Sequence, residues 1–389
     1  MNRLFGTRAV KGESENSAPK NGITAIPACI SSLGTAAAFG VACLLLAQTS
    51  QAQFVYVSNG GGSNNVSGYR VGENGALAPV SGSPFAAGNL PASVAVDPTG
   101  RFAYVVNEGG NNISAFAIDK SGVLTPIPGS PFPTGTDPHE VALDPSGKFV
   151  YVASAVDNSL SGYRIGESGD LTPVPGSPFL AGGFPRAVVV DPMGRFVYAA
   201  NQVTNNVSAY RIGKDGTLEP LEGSPFAAGI SPFSVAVDPM ARFVYVVNEG
   251  GGSVSGYRIA ENGSLSPITG SPFAAGSDPV EVTVEPTGRF AYVANQVSHD
   301  VSAYSIGKDG ALTPIPGSPF KAGTESVWLA ADPTGQFVYV SSKFSHNVVA
   351  FQIGEGGALT PVPGSPFPAG VGPNCIAFSP VQKTSLGKK

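Results

Sequence analysis

Apolar and polar positions alternate in short bursts along most of the chain. Between Ala92 and Phe132 the bursts are easy to separate. "SVAVDP" is a brief apolar run ending in a turn. "RFAYVVN" alternates, with aromatics two apart at Phe102 and Tyr104, and "NISAFAI" alternates again. Period-two alternation puts one face of an extended segment in a core, so both read as strands. "LTPIPGSPF" is extended and proline-rich, as an outer edge strand would be. The separators "DPTG", "NEGGNN" and "DKSG" are turn chemistry. The unit predicts four strands, a to d, and leaves no room for a helix.

The unit recurs. "GSPF" ends at Phe85, Phe132, Phe179, Phe226, Phe273, Phe320 and Phe367, always 47 residues apart. An aromatic column runs through Tyr69, Phe116, Tyr163, Tyr210, Tyr257, Tyr304 and Phe351. A third holds Asp97, Asp144, Asp191, Asp238, Glu285, Asp332 and Ser379. Four-stranded units at this period read as blades of an all-β propeller, with a solenoid as the rival. The ends favour the propeller. "FVYVSN" after Gln53 is a strand b, whereas "NCIAFSP" near the C-terminus is a strand a. Seven blades then close into a ring, with the C-terminal strand a joining the N-terminal strands b, c and d and leaving no sheet edge open. The propeller spans residues 53–380, and residues 381–389 form a C-terminal tail.

Residues 1–52 depart from the repeat. Arg3, Arg8, Lys11 and Lys20 precede the apolar run "LGTAAAFGVACLLLA", which gives way to "SQA" at Ala52. This is the layout of a secretory signal peptide, so an exported protein is expected, periplasmic or extracellular, with no membrane span after cleavage. Cys43 is discounted as a lipoprotein cysteine, because "GVAC" lacks the usual Leu and apolar residues follow it. Cys29 also lies in the leader. Cys375 is then the single cysteine of the mature chain, which excludes an internal disulfide.

Composition adds limits. Gly 51 and Pro 35 fit a turn-rich fold, and 42% apolar residues supply a core. The formal net charge is −5, and no Lys/Arg cluster appears. Nucleic acid is therefore not an expected partner. A monomer is expected.

In a propeller, residues entering strand a and leaving strand b meet on one face, around the central funnel. There the copies differ. The two columns entering strand a read Ala92, His139, Arg186, Phe233, Val280, Val327, Asn374 and Ser93, Glu140, Ala187, Ser234, Glu281, Trp328, Cys375. Strand b exits through an Asn column that includes Asn201, followed by Gly60, Glu108, Ala155, Gln202, Glu249, Gln296, Lys343. Seven like blades have no packing reason to differ there, so the funnel is where a ligand is expected.

Each candidate has a plainer alternative. His139 either caps a strand or faces a ligand. Arg186 either pairs with Glu140 between blades or binds an anion. Glu108 and Glu249 sit in loops where solvation is the ordinary fate. The Asn column fits a turn-holding role, and Trp328 fits packing as readily as a sugar platform. His299 and His346 stand where Asn205 stands elsewhere and read as loop substitutions. No His or carboxylate cluster has metal-ligand spacing, so neither metal nor other cofactor is expected. Phosphate loops and nucleophile elbows are absent from the sequence.

With these residues set out, the chain resembles the seven-bladed lactonase family, which includes propeller-type 6-phosphogluconolactonases and carboxymuconate-lactonizing enzymes. The general part, "VAVDPxGRFVYV" with "VSAY", is shared with non-enzymatic propellers. The specific part lies in two consecutive blades. A His six residues before the turn Pro is matched by His139 and Pro145. The family's "GPRH", followed by a strand ending in "NE", corresponds to "FPRA" and "NQ", which gives Pro185, Arg186, Asn201 and Gln202. Ala187 and Gln202 stand where the family has His and Glu. An amide cannot take a proton, so a carboxylate would have to come from Glu140 or Glu249.

Two functions follow. The resemblance implies a hydrolase of a sugar or related lactone. His139 would be the general base, Arg186 the anion or oxyanion binder, and Glu140 or Glu249 the orienting carboxylate. Asn201, Gln202, Glu108, Glu281 and Trp328 would surround the substrate. The other reading is a non-catalytic platform for a protein, peptide or glycan. A pocket joining His139, Arg186 and a carboxylate would mark the first. A broad apolar top around Phe233, Val280 and Trp328 would mark the second.

Overall fold

The computed structural model describes residues 53–381, so the expected signal peptide (1–52) and nearly all of the tail lie outside the described residues. Seven antiparallel sheets carry the chain. In blade 3, strand a is Pro185–Val190, b is Phe196–Asn201, c is Asn206–Ile212, and d is split into Leu218–Pro220 and Phe226–Ala227. Both d pieces pair with c. The single strand read in "LTPIPGSPF" is thus corrected to two. Between the pieces comes Gly223 at φ +82°, a left-handed conformation incompatible with a continuous ladder. Ser224 Oγ still accepts the Ala209 amide of strand c at 2.9 Å, which accounts for the constancy of "GSPF".

The a strands pack side by side in a full circle. Phe54–Asn59 pairs with Pro373–Phe378, so the last strand completes the first sheet. In six blades an acid tightens the a–b turn. Asp191, fully buried, accepts the amides of Arg195 (2.5 Å) and Phe196 (2.8 Å). In the closing blade that link must cross the chain ends, and Ser379 Oγ accepts the Phe54 amide at 2.8 Å.

Blade joins to blade through one repeated contact. The strand-b tyrosine is fully buried in all seven copies. Its hydroxyl donates to a glycine carbonyl in the c–d turn of the next blade, as from Tyr198 to Gly263 at 2.9 Å. Gly263 has φ +90°, and a Cβ there would lie 2.6 Å from the Phe196 ring. Only glycine fits both demands. Burial of these tyrosines pushes their hydroxyls well above the usual range, so they remain donors.

The top loops hang from a second repeated device. Asn64, Asn111, Asn158, Asn205, Gly252, His299 and His346, all at φ between 50° and 56°, occupy one position of the b–c loop. The Asn side-chain oxygens accept the amide of a second left-handed residue just ahead of the next strand a, as from Asp137 (2.9 Å), Phe184 (2.8 Å) and Ser231 (2.7 Å). His299 and His346 make the same bond through Nδ1, to Glu325 (3.0 Å) and Gly372 (3.1 Å). They are loop substitutions that keep the bond.

Tyr198→Phe should lower unfolding stability by about 1–2 kcal/mol, the cost of leaving the Gly263 carbonyl buried without its donor. Chemical denaturation of both proteins measures this. A chain ending at Gly372 exposes the whole edge of Phe54–Asn59. It should lose its single cooperative transition and aggregate, as read by circular dichroism and size-exclusion chromatography.

Candidate active site in the top funnel

Strand-a entries and strand-b exits meet at the top, as the topology requires. The residue leaving each strand b donates its amide to the left-handed residue ahead of strand a, from Gly60 to Gly372 through Lys343 to Glu325. This fixes the funnel mouth. A pocket of about 230 Å³ opens there, lined by all seven residues of the first entry column. Glu108, Glu140, Glu249, Glu281, Gln296, Trp328 and Lys343 complete its wall. The lining is divided. Blades 1 to 4 supply the His139 and Arg186 side, and blades 5 and 6 supply Val280, Val327 and Trp328.

His139 is 9% exposed and lies against Arg186 of the next blade. Arg186 Nη1 is nearly equidistant from its ring nitrogens, at 3.1 Å from Nδ1 and 2.9 Å from Nε2. Nε2 also has Asp137 Oδ2 at 3.2 Å, and a carboxylate only accepts. The consistent tautomer therefore carries its proton on Nε2, donated to Asp137, and keeps the Nδ1 lone pair toward Arg186. Phe184 packs on the imidazole, with ring centroids 5.7 Å apart. Burial, then the Arg186 charge, pulls the His139 pKa down to about 4, against the weaker pull of Asp137. His139 is thus neutral at neutral pH.

The guanidinium of Arg186 stacks on Phe233, 4.3 Å from the ring centroid. Among the described residues no carboxylate oxygen lies within ion-pair distance of it, so the anticipated bridge to Glu140 is not made. Glu140 Oε2 instead accepts the Val188 amide at 2.9 Å. Burial lowers the Arg186 pKa, and the surrounding Glu108, Glu249, Asp137 and Glu140 resist that. An arginine remains protonated regardless. It presents unpaired donors to the pocket.

The carboxyls are not equivalent. Burial raises Glu140 to about 8. Glu281, 7% exposed, is raised well above the usual range by burial and then by Glu140. Glu108 is raised by burial and by Asp137. Glu249 is held at one oxygen, where Oε2 accepts Gln202 Nε2 at 2.9 Å and Ser231 Oγ at 3.1 Å.

Two sequence-derived candidates do not reach the pocket. Asn201 is fully buried, and its amide donates to Asn206 (2.8 Å) and Ser208 (2.9 Å) inside its own blade. Gln202 stands behind Glu249 rather than in the wall. Glu108 and Glu249, for which the sequence left open a solvated loop or a place in the site, both line the pocket. Trp328 lines it while packing into two blade cores. Asp137 was missed. Its signal was available in the varied column Leu90, Asp137, Phe184, Ser231, Asp278, Glu325, just ahead of strand a.

Sequence spacing also concealed a gathering of metal-ligand types. Glu108, Asp137 and His139 bring ligand atoms within 4.8 Å of one another. The first comes from the preceding blade, so no motif spacing records it. The set suits a cation poorly, because Arg186 places a fixed positive charge against the His139 nitrogens and Nε2 donates to Asp137.

His139 gives the pocket a pH signature in stability. Above pH 6.5, its ordinary pKa, the group is neutral folded and unfolded and contributes nothing. As pH falls toward 4 the unfolded chain takes up a proton that the folded chain refuses, so stability drops, by about 3 kcal/mol in all. Between pH 7 and 4, denaturation should show wild type losing about this much stability relative to His139→Gln, the raised Glu140 and Glu281 contributing an opposite trend common to both proteins.

Residues 46–136, 122–231 and 224–385 match the family model "Lactonase, 7-bladed beta-propeller". Among solved structures, a candidate 6-phosphogluconolactonase of Bacteroides uniformis superposes with a TM-score of 0.76 at 19% identity, covering 85% of this chain and 99% of that one. A second, from Bacteroides fragilis, gives 0.75 at 21%, with the same coverage. The periplasmic gluconolactonase of Pseudomonas aeruginosa gives 0.73 at 20%, again covering 85% and 99%. These likenesses are of fold. A search of curated proteins returns no match. With the family model spread over the described ring, the chain belongs to the seven-bladed β-propeller lactonase family.

Proposed function

We propose that the protein is an exported hydrolase of a sugar lactone or related lactone, acting in the top pocket. One observation carries the reading: His139 and an Arg186 without a carboxylate partner meet in the pocket, with Asp137 bonded to the imidazole. Family membership and the leader-like residues 1–52 support it. An exported location makes a phosphorylated substrate unsuited, so a non-phosphorylated lactone is preferred.

The lactone carbonyl oxygen lies against the Arg186 guanidinium, which donates to it. As the guanidinium turns to the carbonyl oxygen it releases the Nδ1 lone pair of His139; water adds to the carbonyl carbon, and its proton passes to that nitrogen. The oxyanion is stabilised by the guanidinium. Asp137 holds the imidazole and offsets the charge it gains. Collapse of the intermediate breaks the ring C–O bond. Glu140, protonated at neutral pH, donates to the departing alkoxide, and solvent returns the His139 proton to it.

A second reading rests on exposed apolar side chains of the top loops. Val203 is 70% exposed, Ile230 64% and Phe344 69%. Such a rim suits docking of a macromolecule.

A pH-stat with purified protein and a panel of lactones separates the two. Turnover above the spontaneous rate should fall about a hundredfold or more in His139→Ala and in Arg186→Ala. Equal background rates for all three folded proteins would reject hydrolysis of those lactones and favour docking. The kcat/KM profile should be bell-shaped. It falls below about pH 4, where His139 gains a proton, and above about pH 8, where Glu140 loses one. Glu140→Gln should remove the alkaline limb.

A further inference from the structure

We infer that Glu249 is the carboxylate that orients the attacking water, and that Gln202 and Ser231 are the positioning residues that aim it. This deepens the lactone-hydrolase reading and rests on it.

The geometry is specific to this chain. Glu249 follows strand b of blade 4 and lines the same pocket as His139 and Arg186. Its Oε2 receives two hydrogen bonds, from Gln202 Nε2 of the preceding blade and from Ser231 Oγ of its own d–a loop. Neither donor carries charge, and together they fix one oxygen of a carboxylate that lines the pocket. Ser231 is itself fixed, because its amide donates to Asn205 Oδ1 at 2.7 Å and its carbonyl accepts the Glu249 amide at 2.9 Å. Gln202 donates its amide to the Phe184 carbonyl at 2.9 Å, and Phe184 packs on His139. Base and carboxylate therefore share one scaffold.

The bond also explains why an amide suits position 202. A glutamine NH₂ can only donate to the Glu249 carboxylate. A glutamate there would place a second carboxylate within 2.9 Å of the first. Two carboxylates at that distance cannot both ionise, so the pair would share a proton. Gln202→Glu, which adds an acid to the site, should therefore disable it.

The test compares wild type, Gln202→Glu, Glu249→Gln and the double exchange Gln202→Glu/Glu249→Gln, in the full protein. Glu249→Gln should lower kcat about tenfold or more with KM little changed. Gln202→Glu should lose much of its activity at neutral pH and regain it as pH rises, its acid limb moved up by about three units. The double exchange keeps one acid and one amide in contact, and should recover more activity at pH 7 than either single variant. A readout independent of turnover is the ¹³C titration of the glutamate side-chain carboxyls. In Gln202→Glu, positions 202 and 249 should titrate as a coupled pair. Independent titration of the two would overturn the contact. Coupling without the activity pattern would overturn the role assigned to Glu249. Coupling in a protein whose wild type hydrolyses no tested lactone would sink the lactonase reading and leave the Gln202–Glu249 bond standing.

Discussion

A tyrosine hydroxyl reaching a glycine carbonyl in the next blade is the contact on which the ring depends. Each sheet alone would expose a face of valines and aromatics to water. The strand-b tyrosine buries that face against its neighbour and gives the buried join a directional bond. The glycine it meets lies over the phenylalanine two residues earlier in the same strand, so packing and hydrogen bond fix the same register. Tyr339 makes the bond to Gly75 across the chain ends, and there the contact closes the circle.

The fold was legible because its causes are local and repeated. "RFVYV" carries both the phenylalanine and the tyrosine of the join. "DPxG" carries the acid that tightens the turn. Seven copies in one chain separate what packing demands from what varies. "GSPF" showed the limit of such reading: its constancy was plain, but the broken strand it encodes was not, because a left-handed glycine leaves no mark on hydrophobic periodicity.

The site was legible in its placement and less so in its chemistry. The entry column led to the pocket, since topology alone puts those seven residues at one mouth. Properties that depend on distance did not follow. The low basicity of His139 comes from burial and from Arg186, 47 residues away. The raised Glu140 depends on the same enclosure. Asn201 was drawn toward the site by the resemblance, but its side-chain amide is turned inward like those of Asn107, Asn248 and Asn295. Gln202 read as the loss of a carboxylate, whereas in three dimensions it is the partner of one.

The left-handed hooks have a consequence for how such a protein changes. Six of the seven top loops are suspended from a side-chain acceptor in the loop of the preceding blade, Gly252 holding the seventh position, and histidine serves there as well as asparagine. Suspension is thus separate from chemistry. A residue at the funnel mouth can be exchanged without disturbing the hook, and a hook residue can change without disturbing the mouth when its replacement keeps the acceptor. The forty-seven-residue unit behaves as an interchangeable cassette. Duplication supplies identical walls, and single substitutions at one fixed address then give each wall its own character.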